Sequence, residues 1–281
     1  MVDASNQPKR GTPWRCPLHV AAFAGAALLF VLSPDASTLV VAQQAGAARV
    51  PVLVELFTAE GCSSCPPADV LLEKMLEAQP AAGATLVGLG EHVDYWNASG
   101  WKDRFSSAAF TKRQQQYAAR AGNEDIYTPQ MVIDGGDGFV GTDIEAARHA
   151  IERAAAAPHG VIRIALDPPR DKDKIGVTID VSGLPAAADD DPADLLVAVT
   201  EDHLRTEVKH GENQGRTLTH AAVVRDLVTV AGVKGSGEPA RATLRIDPQW
   251  RRDALKIVAF VQQRHSRHVL ATAVLPLDDL R

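Results

Sequence analysis

A pair of cysteines, Cys62 and Cys65, lies where a strand pattern meets a helix pattern, and this constrains the fold more than any other feature. Arg49–Thr58 ("RVPVLVELFT") is a dense run of apolar and β-branched residues, which is typical of a buried strand. Pro66–Gln79 follows, with apolar residues at helical spacing and prolines in the first turn, where a helix tolerates them. The chain is therefore predicted to run from a buried strand through the cysteine pair directly into a helix.

The two halves of the sequence have different hydrophobic rhythms. Residues 50–157 alternate strand-like and helix-like segments, which predicts an α/β domain. From Pro158 onward, eight strand candidates with period-two apolar residues are separated by turn residues, which predicts a β-sandwich over residues 158–281. The other elements predicted for the first half are strands at Ala84–Val93 and Pro129–Gly135, and helices at Ser107–Gly122 and Thr142–Ala156, the last with a capping box of Thr142 and Glu145.

Residues 1–42 have the pattern of a secretory signal peptide. Basic residues precede an apolar run, Leu18–Leu32, which is shorter than the roughly 20 residues of a membrane span. Small residues ending at Ala42 fit a cleavage site, although an uncleaved membrane anchor is the alternative. Cleavage would leave Cys62 and Cys65 as the only cysteines of an exported chain without a stable membrane span.

The composition narrows the classes of partner. The formal net charge is −6, and no basic stretch is long enough to suggest nucleic-acid binding. A hydrophobic content of 46% and a charged content of 23% are normal for a soluble globular protein. We therefore expect no nucleic-acid partner.

The position of the cysteine pair favours thiol chemistry. A helix N-terminus presents unpaired N–H groups and a partial positive charge, and both stabilise a thiolate. Cys62 is the predicted nucleophile, and Cys65, one turn on, is the predicted resolving thiol. Zinc normally takes four ligands and no second C-x-x-C pair exists, but metal binding and an inert disulfide remain as alternatives.

The stretch "VELFTAEGCSSC" resembles the strand, turn and C-x-x-C signature of the thioredoxin superfamily, over roughly residues 50–157. The stretch "YTPQMVIDG" (Tyr127–Gly135) looks like that family's loop, in which a cis-proline precedes a strand. The resemblance implies a thioredoxin-like α/β domain before the all-β domain. It also implies that Pro129 is a cis-proline beside the cysteines and that Thr128 contacts an extended substrate.

A longer pattern, which includes "CSSCPPAD", "HVDYWNASGW" and "GENQGRTLTH", resembles a family of secreted bacterial proteins of unknown function. It implies a periplasmic or secreted protein of a Gram-negative bacterium and names no substrate. The chain departs from thioredoxin in the Ser63-Ser64 dipeptide, which leaves the direction of the redox reaction open. Glu55 is the nearest match to the buried acid of many thioredoxins, either as a proton relay for Cys65 or as a strand-end glutamate facing solvent.

Two further stretches supply candidate binding residues. His92, Asp94, Tyr95 and Trp96 follow a predicted strand, so they are expected at the cysteine edge of the sheet and are candidates for a substrate groove. The alternative is a locally packed loop with a satisfied histidine. In His210–His220, the side chains of Glu212, Arg216 and His220 either contact the first domain or belong to a plain hairpin turn.

The sequence therefore predicts an exported thiol–disulfide oxidoreductase that acts on a protein or small-thiol substrate with an unknown redox partner and no cofactor. One alternative is a copper carrier that binds Cu(I) through the cysteines with His92 or Met131. Another is a non-catalytic binding module that keeps the thioredoxin-like fold. A third is that the C-terminal domain acts as a docking module and the first domain regulates it.

Overall fold

The structure is a computed structural model that describes residues 49–168, 171, 173–185, 191–233 and 237–277. The described residues all fall within one compact unit, Thr38–Arg281. The predicted signal peptide, residues 1–42, lies outside them. Among the described residues, no helix is long and apolar enough to cross a membrane.

The first part of the described chain alternates strands and helices, and the second part consists almost entirely of strands. The elements up to residue 157 are β1 (Val50–Thr58), α1 (Pro66–Ala78), β2 (Ala84–His92), a 3₁₀ helix (Tyr95–Ala98), α2 (Ala108–Arg120), β3 (Gln130–Ile133), β4 (Phe139–Val140) and α3 (Ile144–Ala156). The later elements are β5 (Val161–Leu166), β6 (Lys174–Ser182), β7 (Ala193–Glu201), β8 (Leu204–Glu207), β9 (Thr217–His220), β10 (Val223–Val233), β11 (Ala240–Arg245), a 3₁₀ helix (Arg252–Ala254), β12 (Leu255–Gln263) and β13 (Val269–Pro276).

The main sheet joins strands from both halves of the chain. It is mixed and eight-stranded, with the order β13-β12-β7-β10-β2-β1-β3-β4. The predicted fold class, an α/β thioredoxin-like domain followed by a separate all-β sandwich, is therefore wrong. A period-two pattern reports which face of a strand is buried, but it does not report which sheet the strand joins.

The junction between the halves depends on a close backbone approach at Gly90. Gly90 in β2 pairs with Val223 in β10, and its N–H donates to the carbonyl oxygen of Ala222 at 2.7 Å. A Cβ atom at Gly90 would lie 2.9 Å from the carbonyl oxygen of Ala221. Glycine is therefore needed here, since any side chain would push the two strands apart.

Helices pack on both faces of one part of the main sheet, and a second sheet packs on the other part. Helices α1 and α3 pack on one face of β1, β2 and β3, and Phe110 of α2 packs on the other face. A second sheet, with strand order β11-β6-β5, packs against β7, β12 and β13. The larger of these two packed sheets continues past β10 into the first half, so the second half does not form a separate sandwich.

The helix ends follow from capping chemistry. Ser107 caps α2, because its hydroxyl accepts from the Ala109 N–H at 3.2 Å. Asp143 caps α3 by accepting from the Ala146 N–H at 2.9 Å, so the predicted cap at Thr142 is wrong by one residue. A carboxylate at this position has the added attraction of the positive end of the helix.

Candidate functional site

The cysteine loop, residues 59–65, connects the carboxyl end of β1 to α1. Cys62 and Cys65 form a disulfide, with their Cα atoms 5.4 Å apart. The Cys62 N–H donates to the Ala59 carbonyl at 3.1 Å, and the Cys65 N–H donates to the Cys62 carbonyl at 3.2 Å. Cys65 is the N-cap residue of α1. The loop is therefore a tight, ordered turn that holds the disulfide at one edge of the sheet.

The first turn of α1 offers fewer donors to a thiolate than the sequence suggested. Pro66 and Pro67 occupy its first two positions and have no N–H group. The N–H groups of Ala68 and Asp69 donate to the Cys65 carbonyl at 2.8 and 3.1 Å. The direct polar neighbour of the Cys62 sulfur is instead the Ser64 hydroxyl, at 3.3 Å. Ser64 is therefore the candidate donor to a Cys62 thiolate.

Both cysteines are fully buried, while the two serines between them are exposed. Trp96 covers part of the loop, since a Cβ atom at Gly61 would lie only 3.3 Å from Trp96 Cβ and from its carbonyl oxygen. Tyr95 and Trp96 pack against the same apolar cluster as the cysteines. Two of the predicted groove residues therefore lie beside the disulfide.

The Thr128–Pro129 segment lies at the same edge. Its peptide bond is cis. Antiparallel pairing of Gln130 with Phe57 brings this segment to the end of β1 that leads into the cysteine loop. Trp96 Nε1 donates to the Thr128 hydroxyl at 2.7 Å, so the 3₁₀ helix braces the segment. The substrate role predicted for Thr128 and Pro129 stays a prediction.

A loop from the second half of the chain covers the disulfide. This cover loop, residues 208–216, connects β8 to β9. The amide of the buried Asn213 donates to the carbonyl oxygens of Glu60 and Cys62, both at 2.9 Å. The Ser63 N–H donates to the Glu212 carboxylate at 3.1 Å. The segment is a hairpin, since β8 and β9 pair antiparallel, and its loop also contacts the first half of the chain.

The sequence pattern does not identify Asn213 as a site residue, because nothing distinguishes it locally from an ordinary hairpin-turn residue. Arg216, which the sequence did single out, contacts Asn213 instead of the cysteine loop, with Nη1 2.7 Å from the Asn213 side-chain oxygen. The polar composition of "HGENQGR" was the available signal. The two carbonyl partners of Asn213 lie about 150 residues earlier in the chain, with sequence separations of 153 and 151, so only the tertiary structure identifies them.

A group of buried acids and histidines lies behind the cysteine loop. We call it the histidine cluster, and it consists of Glu60, Asp69, His92, Asp103 and His220. His92 Nδ1 lies 2.6 Å from Asp103 Oδ2, and the His92 and His220 rings are 4.8 Å apart in an edge-to-face arrangement. His220 Nε2 is 3.4 Å from Glu60 Oε1. His92, predicted to line a groove, is therefore packed in the interior with a carboxylate partner.

Glu60 connects the histidine cluster to the loop itself. Its N–H donates to Asp103 at 2.9 Å, and its side-chain carboxylate accepts from Trp101 Nε1 at 2.7 Å. Its own carbonyl oxygen accepts from Asn213. Among the described residues, neither ring nitrogen of His220 has a hydrogen-bond partner. Its Nε2 approaches Glu60 Oε1 at 3.4 Å without forming a hydrogen bond.

Two carboxyl groups of this cluster have pKa values shifted in opposite directions. Burial raises the pKa of Asp69 to about 7, and nearby His220 opposes the rise. For Asp103 the effect of burial is outweighed by His92, which lowers the pKa of the Asp103 carboxyl below its usual value. Asp69 is thus a carboxyl group that exchanges a proton near pH 7, one helical turn after Cys65.

A second buried ionic group contains Glu55, and we call it the arginine cluster: Glu55, Glu91, Arg113 and Tyr117. Arg113 Nη2 lies 2.6 Å from Glu55 Oε2, and Arg113 Nε lies 3.2 Å from Glu91 Oε1. The Tyr117 hydroxyl donates to Glu55. Glu55 is fully buried, so it does not face solvent, and its relay role for Cys65 stays a prediction.

The charges of the arginine cluster are strongly coupled. Burial raises the pKa of Glu91 well above its usual value, although Arg113 opposes this. The pKa of Arg113 is raised above its usual value because Glu55, Tyr117 and Glu91 outweigh the effect of its burial. The guanidinium therefore stays charged and neutralises the carboxylates around it.

The donors of the alternative copper site can also be located. Met131 is fully buried in β3, and His92 is paired with Asp103. Within the described ranges, no group of three or more His, Cys, Asp or Glu side chains is arranged to hold a metal ion.

Comparisons with known proteins extend over most of the chain. A family model described as "Protein of unknown function (DUF1223)" matches residues 53–262. The crystal structure of a protein from Agrobacterium tumefaciens is 27% identical with a TM-score of 0.62, over 84% of this chain and 98% of that chain. A domain of the outer membrane lipoprotein Omp28 from Porphyromonas gingivalis is 16% identical over 43% of this chain and 89% of that chain. Its TM-score of 0.27 is too low to support any inference about this chain. No curated protein matches the sequence significantly.

These matches confirm the predicted kinship with a family of unknown function, and they do not confirm the resemblance to thioredoxins. The match to the Agrobacterium protein, which spans nearly all of that chain, supports a shared overall architecture. Since the family model covers most of the sequence, the chain belongs to the DUF1223 family of proteins of unknown function.

Proposed function

We propose that this protein exchanges thiols and disulfides outside the cytoplasm, with Cys62 and Cys65 as the reacting pair. The observation that carries the proposal is the disulfide itself, held at a strand–helix junction one helical turn before Asp69, whose pKa is raised to about 7 by burial. The chain has three cysteines, and Cys16 belongs to the predicted signal peptide. The substrate is a protein or small molecule that carries a dithiol or a disulfide.

The exchange proceeds in two balanced steps. A substrate thiolate attacks the Cys62 sulfur, forms a mixed disulfide and breaks the Cys62–Cys65 bond, so that Cys65 leaves as a thiolate and takes a proton. The second substrate thiolate then attacks the substrate sulfur of the mixed disulfide, and Cys62 leaves as a thiolate. The substrate is oxidised by two electrons and the cysteine pair is reduced. The same steps in reverse reduce a substrate disulfide.

Two residues are placed to assist these steps. The Ser64 hydroxyl, 3.3 Å from the Cys62 sulfur, donates to the developing Cys62 thiolate and stabilises it. Asp69 is the proton source for Cys65, because about half of its carboxyl groups are protonated near pH 7.

Access to the disulfide requires movement of the cover loop. Both sulfurs lie on fully buried residues, and Asn213 and Glu212 attach the loop by three hydrogen bonds to Glu60, Cys62 and Ser63. Surface loops held by a few hydrogen bonds open at a small free-energy cost. Opening would expose Cys62 between the Thr128–Pro129 segment and Trp96.

The proposal is tested by trapping the intermediate. The Cys65→Ser variant lacks the resolving thiol, so reduced protein incubated with a small aromatic disulfide should accumulate a mixed disulfide at Cys62, detectable by mass spectrometry. The Cys62→Ser variant should exchange at background rate. Equal reactivity of the two single variants, or the absence of any adduct, would remove the assigned roles.

The full burial of the disulfide favours one other candidate, a structural bridge that only shapes the cysteine loop. A bridge over so short a loop gains little chain-entropy stabilisation. If the bridge is structural, the reduced protein should lose stability and the trapped adduct should not form. The same trapping experiment therefore separates the two candidates.

A further inference from the structure

A basic cavity of about 690 Å³ lies away from the cysteine loop. It is lined by the start of α2 and by strands β7, β10 and β12. The cationic residues in its wall are Arg104, Lys112, Arg113, Arg225, Arg264 and Arg267, against the acidic residues Asp194 and Asp226. This local excess of positive charge occurs in a chain whose formal net charge is −6, so it does not follow from the overall composition.

Part of this positive charge has a carboxylate partner within the protein. Arg113 is paired with Glu55, and Arg264 Nη2 lies 2.6 Å from Asp194 Oδ1. Arg225 Nε is 3.6 Å from Glu201 Oε2.

The other three cations are Arg104, Lys112 and Arg267. Within the described ranges, none of them has a carboxylate at ion-pair distance. The buried Nε of Arg267 also has no hydrogen-bond partner there. Three positive groups therefore face the cavity without a neutralising partner.

The guanidinium groups are held close to one another by aromatic rings. Arg104 and Arg225 lie 4.5 and 5.1 Å from the centre of the Phe105 ring. Arg113 and Arg267 both lie 5.4 Å from the centre of the Tyr117 ring. Burial lowers the pKa of Arg267, and the charge of Arg113 lowers it further.

Holding like charges together raises the electrostatic free energy of the free protein. An anion bound among these positive charges would lower this electrostatic free energy, so the arrangement favours binding of an anionic ligand. Stacking on the rings also fixes the guanidinium planes, which reduces the entropy lost when they bind a carboxylate or phosphate.

We propose that this cavity binds a small polyanion that carries at least two carboxylate or phosphate groups. A guanidinium binds either group through two parallel N–H donors, and Arg104 beside Phe105 and Arg267 beside Tyr117 can each take one anionic group. The volume lies within the range of roughly 300–1,000 Å³ that is usual for small-molecule sites. The inference does not depend on the chemistry proposed for the cysteines.

The test is calorimetric titration of the oxidised full chain with pyrophosphate and, separately, with citrate at low ionic strength. We expect at least one of them to bind with a Kd below about 1 mM and to weaken as salt is added. The two probes distinguish phosphate from carboxylate as the preferred group.

Two variants at exposed positions locate the site. Lys112→Glu and Arg104→Gln should each weaken binding by at least about tenfold, because each removes a charge-assisted contact. The matched control is Lys102→Glu, which makes the same charge change at an exposed residue of the preceding loop that does not line the cavity. Binding of neither probe, or equal weakening by Lys102→Glu and Lys112→Glu, would overturn the proposal.

Discussion

Two buried ionic clusters lie on opposite faces of the sheet, toward the carboxyl ends of β1 and β2. Glu91 belongs to the arginine cluster and His92 to the histidine cluster, and successive residues of a strand point to opposite faces. Both clusters contain fully buried carboxylates. They differ in the basic side chain beside these carboxylates, which is arginine in one cluster and histidine in the other.

The difference concerns which protons can move. Arg113 stays charged at every accessible pH, and its guanidinium lies 2.6 Å from the Glu55 carboxylate. The histidine cluster contains Asp69, whose pKa is about 7, and Glu60, which is itself part of the cysteine loop. One cluster therefore stabilises the fold, and the other is suited to supply the protons that disulfide reduction consumes.

Removal of the fixed cation should have the largest effect. Arg113→Met leaves Glu55 and Glu91 buried without a positive partner, and breaking a buried pair in this way costs about 3–5 kcal/mol. The free energy of unfolding in urea measures the loss. The control is Arg148→Met, which removes an exposed arginine that pairs with Glu145 and Glu152 on α3 and should cause no measurable change. A loss no larger than that of the control would mean that the arginine cluster is not structural.

The second prediction concerns the pH dependence of stability. The pKa of Asp69 is raised from 3.8 to about 7 in the folded protein, so the folded state binds more protons than the unfolded state between these pH values. Stability should therefore fall as the pH rises through this window. Asp69→Asn removes this fall and should stabilise the protein at pH 8, by at most about 4 kcal/mol for about three pKa units.

Urea unfolding of the oxidised protein between pH 4 and pH 8 measures this slope. Asp180→Asn, at an exposed position on β6, is the matched control and should leave the slope unchanged. An unchanged slope in Asp69→Asn would show that the carboxyl group titrates as it does in the unfolded chain.

The third prediction concerns the cover loop. Asn213→Ala removes two hydrogen bonds to the carbonyl oxygens of Glu60 and Cys62, so opening of the loop costs less. Reduction of the disulfide by dithiothreitol should accelerate by roughly tenfold, as followed by alkylation and mass spectrometry. Thr217→Ala, at an exposed position in the same hairpin, should leave the rate unchanged. A rate in Asn213→Ala equal to that of the unaltered protein would mean that the loop does not limit access.

The smallest effect is expected at Ser64. In the Cys65→Ser background, Ser64→Ala removes the hydroxyl beside the Cys62 sulfur and should raise the pKa of that thiol. Alkylation by iodoacetamide at pH 7 should slow by about two- to fivefold. Ser63→Ala keeps the N–H group that binds Glu212 and is the matched control. Equal rates in the two serine variants would exclude a role for the Ser64 hydroxyl.

Local structure around the cysteines was predictable from the sequence. The strand before Cys62, the helix after Cys65 and the strand after Pro129 each have a local hydrophobic pattern, and all three are observed. Tyr95 and Trp96 pack against the same cluster as the cysteines, because residues that follow a parallel strand emerge at the same sheet edge, and their role in substrate binding stays a prediction.

Contacts between distant parts of the chain were not predictable in the same way. The pairing of β10 with β2 depends on the close approach at Gly90. A glycine in a strand indicates that another backbone can approach closely, but it does not indicate which strand does so. The cover of the disulfide by Asn213 and the burial of Asp69 follow from that pairing, since β9 and β10 are consecutive strands. Both parts of the candidate site that were missed therefore have the same physical origin.

The most direct test of the central claim is the reduction potential of the Cys62–Cys65 couple, measured by equilibration in glutathione buffers of set ratio, followed by alkylation and mass spectrometry. A pair that exchanges thiols should be reversible, with a potential between about −120 and −270 mV. A disulfide that stays closed well below about −300 mV would be a structural bridge and would contradict the proposed function.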